Sequence, residues 1–172
     1  MKTLEQKVEQ FKRLQEKVLS LREEITGFRK DVVKTVNDTI KYFQTISPYD
    51  KESVFCVYLD AKNKIMDYKT ISEGTLSQSL LYPREIIKQA LNIGALSIIV
   101  MHNHPSGEFT PSENDKKMTK RLFFACRNMD IMLLDHIITG STPKYYSFYE
   151  EGFIERYRES FRYVMENEKE EN

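Results

Sequence analysis

Apolar residues recur along the first part of the chain at Leu4, Val8, Phe11, Leu14, Val18, Leu21, Ile25, Phe28 and Val32. The steps of three and four, with one irregular step between Phe11 and Leu14, follow a heptad rhythm and predict a long amphipathic helix. Glu, Lys, Gln and Arg fill most of the positions between. A seam this regular on so charged a surface wants a partner, either another copy of the helix or the body of the same chain. A homodimer through this helix or through the domain is therefore expected. Gly27 marks a bend, since glycine costs about 1 kcal/mol against alanine in a helix interior. A second helical stretch is predicted from about Asp31 to Phe43, with Val32, Val33, Val36, Ile40 and Phe43 inward, and Ser47-Pro48-Tyr49-Asp50 breaks it.

From Glu52 the period shortens. Val54-Phe55-Cys56-Val57-Tyr58-Leu59 is rich in β-branched and aromatic residues and predicts a buried strand. Asp60-Ala61-Lys62-Asn63 is a turn and Lys64 to Ser72 a second strand, so the pair predicts a hairpin. Pro83 suits the first turn of a helix running to Asn92, with Gly94 just past its end. Leu96 to Met101 predicts an apolar strand, and His102 to Pro111 a polar loop. Ser112 opens another helix, with Met118, Leu122, Phe123, Ala125 and Cys126 on its apolar side. A strand over Ile131 to Ile138, a turn over Gly140 to Pro143, a short strand over Tyr145 to Phe148 and a charged helix from about Glu150 follow. Strands alternate with helices, which predicts an α/β fold in which a sheet is flanked by helices. The organisation expected is a helical extension over 1–30, one domain over 31–165 and a charged tail over 166–172.

Composition narrows the class. Of 172 residues, 40% are hydrophobic and 30% charged, which excludes a disordered tail and a membrane protein. The longest apolar run, Leu96 to Met101, is far short of a membrane span. The N-terminus has no apolar segment of the signal-peptide kind, so none is expected. Cys56 and Cys126 stand apart without a CxxC partner, which suggests core packing in a reducing, cytoplasmic setting. The formal net charge is zero, so bulk charge gives nucleic-acid binding no support. Lys116, Lys117, Lys120 and Arg121 form one local basic cluster, which reads first as a solvated helix face.

Chemistry concentrates in one segment, His102-Asn103-His104-Pro105-Ser106-Gly107-Glu108-Phe109-Thr110-Pro111-Ser112-Glu113-Asn114-Asp115. Two histidines one residue apart beyond a strand can point the same way, because side chains alternate along extended backbone. A carboxylate at the start of the next helix can reach back to them. Two imidazoles and one carboxylate leave a fourth tetrahedral position for water, the open geometry of a catalytic zinc site. A general base is then needed, and Glu52 at the start of the first core strand is a candidate, with Glu85 next. Each part also has a plainer reading. Ser112 and Asp115 fit an N-cap pair close to a capping box, and Glu52 fits a charged strand end. His136, inside Leu133-Leu134-Asp135-His136-Ile137-Ile138, fits a buried, hydrogen-bonded histidine or a support behind the ligands.

The pattern His-x-His-Pro followed by Pro-Ser-x-x-Asp resembles the JAMM signature of the JAB/MPN metalloproteases. More closely, His102-Asn103-His104-Pro105-Ser106-Gly107, Pro111-Ser112 and Leu134-Asp135-His136 resemble the RadC family of bacterial proteins. Gly74-Thr75-Leu76, Pro83-Arg84-Glu85 and Tyr146-Ser147-Phe148 also match that family's pattern. The resemblance covers about Val36 to Ile154. The helix-hairpin-helix region that precedes the catalytic domain of longer RadC proteins is not expected here. The resemblance implies a mixed sheet between helices, of cytidine-deaminase-like architecture. It implies His102, His104 and Asp115 as zinc ligands, Glu52 as base and Ser112 as a donor to the oxyanion. Two other patterns fall away. His102-Asn103-His104 spells HNH, but nucleases of that name draw these residues from separate parts of a ββα unit. A zinc deaminase needs His-x-Glu and a later Pro-Cys-x-x-Cys.

The function expected is a zinc-dependent hydrolase of peptide or isopeptide bonds acting on a peptide or protein. A DNA-repair-associated or mobile-element accessory protein is the alternative that the RadC resemblance carries, and an inactive MPN-type scaffold is a further one. The complete ligand set argues against the scaffold.

Overall fold

The structure is a computed structural model and describes residues 3, 6, 10, 13, 14, 17, 21, 35, 37–40, 51–73, 83–140 and 144–167. The chain divides into two compact units, Met1–Asp31 and Val32–Asn172. In the first, Gln6, Gln10, Arg13, Leu14, Lys17 and Leu21 are helical. The Thr3 hydroxyl accepts from the Gln6 N–H at 3.3 Å, and the Gln6 carboxamide accepts from the Thr3 N–H at 3.0 Å, a reciprocal cap that opens this helix. Leu14 and Leu21 of the seam are exposed. The other seam residues and Gly27 lie outside the described residues, as do Ser47-Pro48-Tyr49-Asp50, Gly74-Thr75-Leu76 and the tail beyond Asn167.

In the second unit residues 37–40 are helical. Thr35 and Asp38 exchange the same pair of bonds, at 3.0 and 3.2 Å, a reciprocal cap ahead of residues 37–40; residues 31–34 of the predicted stretch lie outside the described residues. Five strands then form one sheet in the order β2-β1-β3-β4-β5. They are β1 (Ser53–Leu59), β2 (Ile65–Glu73), β3 (Ser97–Asn103), β4 (Met132–Thr139) and β5 (Tyr145–Ser147). The helices are α1 (Pro83–Ile93), α2 (Glu113–Arg127) and α3 (Phe153–Asn167). β3 and β4 are parallel and joined through α2; the other neighbours are antiparallel, so the sheet is mixed, as expected. The hairpin turn is closed by Asp60, whose Oδ1 accepts from the N–H groups of Lys62 and Lys64 at 2.7 and 2.9 Å while Asn63 takes a left-handed φ of 57°. Gly94, at φ 69°, ends α1 where the sequence placed it.

β1 and β3 are buried along their whole length, which is why neither alternates in polarity. On one face Val54, Cys56, Tyr58, Ile98 and Val100 pack with Ile86 and Ala90 of α1, Leu122, Phe123 and Cys126 of α2, and Ile154 and Tyr157 of α3. Both cysteines are free and buried, and burial pushes the Cys126 thiol up to about 12, so they serve as packing. Among the described residues no helix is long and apolar enough to cross a membrane. Buried polar side chains gather at one end of the sheet. His102, Asn103, Asp115, Thr119, Asp135, His136 and Thr139 are all buried there, around the carboxyl ends of β3 and β4 and the start of α2.

Candidate metal centre

The strand that carries His102 runs two residues past the end of its apolar run, to Asn103. His102 pairs with Val54 on one side and Ile138 on the other, and Asn103 pairs with Ser53 and Thr139. The loop predicted from His102 therefore starts at His104, because a hydrogen-bonded ladder continues through polar residues that end an apolar pattern. His104 is tied to the same edge, its N–H donating to the Thr139 carbonyl at 2.8 Å. Strand alternation brings His102 and His104 to one face, with ring centroids 4.6 Å apart and edge to face.

The ring nitrogens are individually assigned by their neighbours. His104 Nδ1 lies 2.8 Å from the Glu108 carbonyl oxygen, which can only accept, so Nδ1 carries the proton and Nε2 holds a free lone pair. Glu108 in turn is fixed by Phe109 N–H, Thr110 N–H and the Thr110 hydroxyl, all donating to its Oε1, and these bonds lower its pKa. His102 Nε2 donates to Glu52 Oε1 at 2.9 Å. The opposite nitrogen, Nδ1, is buried with no hydrogen-bond partner and faces Asp115 Oδ1 at 3.5 Å.

Asp115 does two things at once. Its Oδ2 accepts from the Ser112 N–H at 2.8 Å and the Ser112 hydroxyl at 2.6 Å, while its own N–H donates to Ser112 Oγ at 3.1 Å, a complete capping box. That leaves Oδ1 for the histidine face. Burial opposes the charge on Asp115, but the neighbouring His102 and the bonds from Ser112 outweigh it and hold the carboxyl well below the usual carboxylate range. The Ser112 proton is engaged in the cap, so an oxyanion-binding role requires the hydroxyl to turn away from Asp115.

Behind these groups, His136 is fully buried, and burial followed by the proximity of His102 pushes its imidazole down to about 3. Its ring is stacked with that of His102, centroids 6.2 Å apart, and with Phe148 at 4.9 Å. The Thr119 hydroxyl donates to the Asp115 carbonyl at 2.6 Å and lies 2.7 Å from His136 Nδ1. A hydroxyl has one proton, so His136 Nδ1–H donates to Thr119. The chain His136–Thr119–Asp115 thus braces the start of α2 through its backbone. Asp135, beside it, accepts from Ser147 Oγ, His136 N–H and Tyr149 N–H, which fastens β5 and the approach to α3. Sequence reasoning gave no part to Thr119 or to Asn103, whose carboxamide is described below.

Donor atoms of Glu52, His102 and His104 lie within 4.8 Å of one another; Asp115 is not in that group and meets only His102, its Oδ1 lying 3.5 Å from Nδ1. His102 Nδ1 is buried without a hydrogen-bond partner and lies 3.5 Å from Asp115 Oδ1, and two imidazole nitrogens plus carboxylate oxygens are a donor set that suits zinc. Glu52 and His104 are the half-open members of the cluster, while the side chains of His102 and Asp115 are buried, so solvent reaches the centre from the Glu52 and His104 side.

A mixed sheet between helices, with a histidine pair at the end of one strand, an aspartate in the first turn of the next helix and a glutamate ahead of the neighbouring strand, defines a JAB-type domain. The chain belongs to the RadC-like JAB domain family, whose model matches residues 30–153. It is 40% identical over 124 residues to a UPF0758 protein of Haemophilus ducreyi, covering 72% of this chain and 55% of that protein. It is 46% identical over 112 residues to a UPF0758 protein of Actinobacillus pleuropneumoniae, covering 64% and 50%. A UPF0758 protein of Vibrio cholerae is 35% identical over 127 residues, covering 73% and 80%. The chain spans about half the length of the first two relatives.

Proposed function

We propose that this chain is a zinc-dependent hydrolase that cleaves an amide bond, in a peptide or an isopeptide linkage. The observation that carries the reading is the meeting of Glu52 with His102 and His104 at one point, with Asp115 on the other side of His102. His102, His104 and Asp115 are the residues that would hold the metal. Zinc there supplies a Lewis acid that brings the pKa of water toward about 7. Glu52, half-exposed at the mouth, accepts the proton of the attacking water and delivers it to the departing amine nitrogen. His104 is kept in the lone-pair tautomer by Glu108, and Asp115 is kept ionised by its surroundings. Ser112, once turned from its cap, offers a hydroxyl to the developing oxyanion, a kind of contact worth about 3 kcal/mol where measured.

The test has two stages. Elemental analysis of protein purified without chelator is expected to find about one zinc per chain, as a three-ligand open site requires. A peptide library is then digested with and without chelator, and by Glu52→Gln, which is expected to keep zinc and lose about 100-fold or more of the rate. Well-folded protein that takes up no zinc from excess metal sinks the proposal, as does cleavage by Glu52→Gln at the parental rate.

A further inference from the structure

Glu52 stands one residue outside the ladder: the last pair of β1 and β3 is Ser53 with Asn103. A residue in that place ordinarily frays, yet Glu52 meets His102 at hydrogen-bond distance. What holds it is on the other face of the same strand end. Asn103 is completely buried. Its Oδ1 accepts from the Ser53 N–H at 2.9 Å, and its Nδ2 donates to the Lys51 carbonyl at 2.8 Å. The carboxamide therefore grips the main chain immediately before and immediately after Glu52. Alternation makes this arrangement possible, because His102 and His104 face one side of the strand end and Asn103 the other. Two bonds to backbone, one accepted in full burial and one donated in part burial, suit Asn: ionised Asp can only accept, and a Ser hydroxyl is too short to span both groups.

We infer that Asn103 is a positioning residue for Glu52: its side chain fixes the Lys51–Ser53 backbone and so aims the Glu52 carboxylate at the histidine pair. The inference rests on the proposed role of Glu52 as base. It gives a task to the middle residue of the His-Asn-His string, and it locks base and ligands together through one strand end.

The experiment uses the full, metal-free chain, so that it stands apart from zinc content. NMR follows the ¹⁵N shift of His102 Nε2, which Glu52→Gln is expected to move by changing its hydrogen-bond acceptor, and the exchange of the Ser53 amide. Asn103→Ala is compared with Val100→Ala, a buried truncation in the same strand that serves as a matched control for lost stability. Asn103→Ala is expected to move the His102 signal toward its position in Glu52→Gln and to speed Ser53 exchange by about tenfold, the loss of one buried bond. Val100→Ala is expected to leave the His102 signal in place. Should Asn103→Ala not fold, Asn103→Ser, whose hydroxyl is too short to reach both backbone groups, is read in the same way. A His102 signal unmoved by the Asn103 variants, or moved equally by Val100→Ala, overturns the inference. Failure of the wild type to bind zinc strikes the hydrolase reading and leaves the aiming of Glu52 to be decided by these spectra.

Discussion

Gly140 touches Gly107 backbone to backbone: a Cβ built on Gly140 would lie 2.2 Å from the Gly107 carbonyl oxygen. Gly107 sits in the loop between His104 and Asp115, at a left-handed φ of 85°. Gly140 follows Thr139, whose carbonyl holds the His104 N–H. The contact therefore presses the ligand loop onto the end of β4. Gly140→Ala is expected to displace the loop and weaken zinc binding by about 10-fold or more, the scale seen when groups that support ligands are lost. Competition titration with a zinc chelator measures this. Affinity unchanged in a folded variant would show that the loop yields without moving His104.

Ser112 caps α2 and holds Asp115 in place with the same hydroxyl. Ser112→Ala is expected to cost about 1 kcal/mol in metal-free unfolding, the usual worth of an N-cap. Ser112→Thr, which keeps the hydroxyl, is expected to restore most of it. Denaturant unfolding of the three proteins is the check, and equal midpoints would mean that the cap contributes nothing.

Acid affects the two neighbours Asp135 and His136 in opposite directions. His136 is lowered from 6.5 to about 3 by burial, so the unfolded chain takes up a proton that the folded one refuses, and stability is lost as pH falls from 6.5. Asp135 is raised from 3.8 to about 6 by burial, so the fold keeps a proton that the unfolded chain releases, and stability is lost as pH rises from 3.8 through 6. Between about pH 4 and 6 the two slopes, each at most about 1.4 kcal/mol per pH unit, offset one another. Asp135→Asn removes one of them. Its metal-free stability is expected to fall more steeply than the parent's on acidification from pH 6 to 4, and parallel denaturation profiles would contradict this.

The N-terminal seam is the remaining test. Leu14 and Leu21 are exposed on a helical segment. Each such side chain is worth roughly 1.5–3 kcal/mol when fully buried. Light scattering is expected to find a dimer for the full chain and a monomer for a chain beginning at Asp31. A monomer in both would refute dimerisation through the seam.

The sequence carried the strands, the helices after Pro83 and the convergence of His102 and His104, because hydrophobic period and side-chain alternation are local properties. It misjudged the end of β3. His102 and Asn103 look like loop by polarity, and only their partners Val54, Ser53, Ile138 and Thr139 make them strand. Asn103 was invisible for the same reason: its bonds reach Lys51 and Ser53, some fifty positions away. The double use of Asp115 was partly legible, since Ser112 and Asp115 have capping-box spacing, but the division of labour between its two oxygens needs coordinates. Glu52 was drawn in by its place ahead of a strand and by resemblance, with no periodic signal to mark it.

That division has a thermodynamic side. One oxygen of Asp115 closes the first turn of α2, and the other looks toward the imidazoles. The carboxylate cannot swing to follow one set of partners without letting go of the other. On the proposed zinc reading, a cation that favours this rotamer would also favour the wound helix end, and a frayed helix end would withdraw Asp115 from it. Occupancy of the centre and order in the opening turn of α2 would then be linked by mass action. The backbone of that turn becomes a gauge on which the filling of the centre can be read.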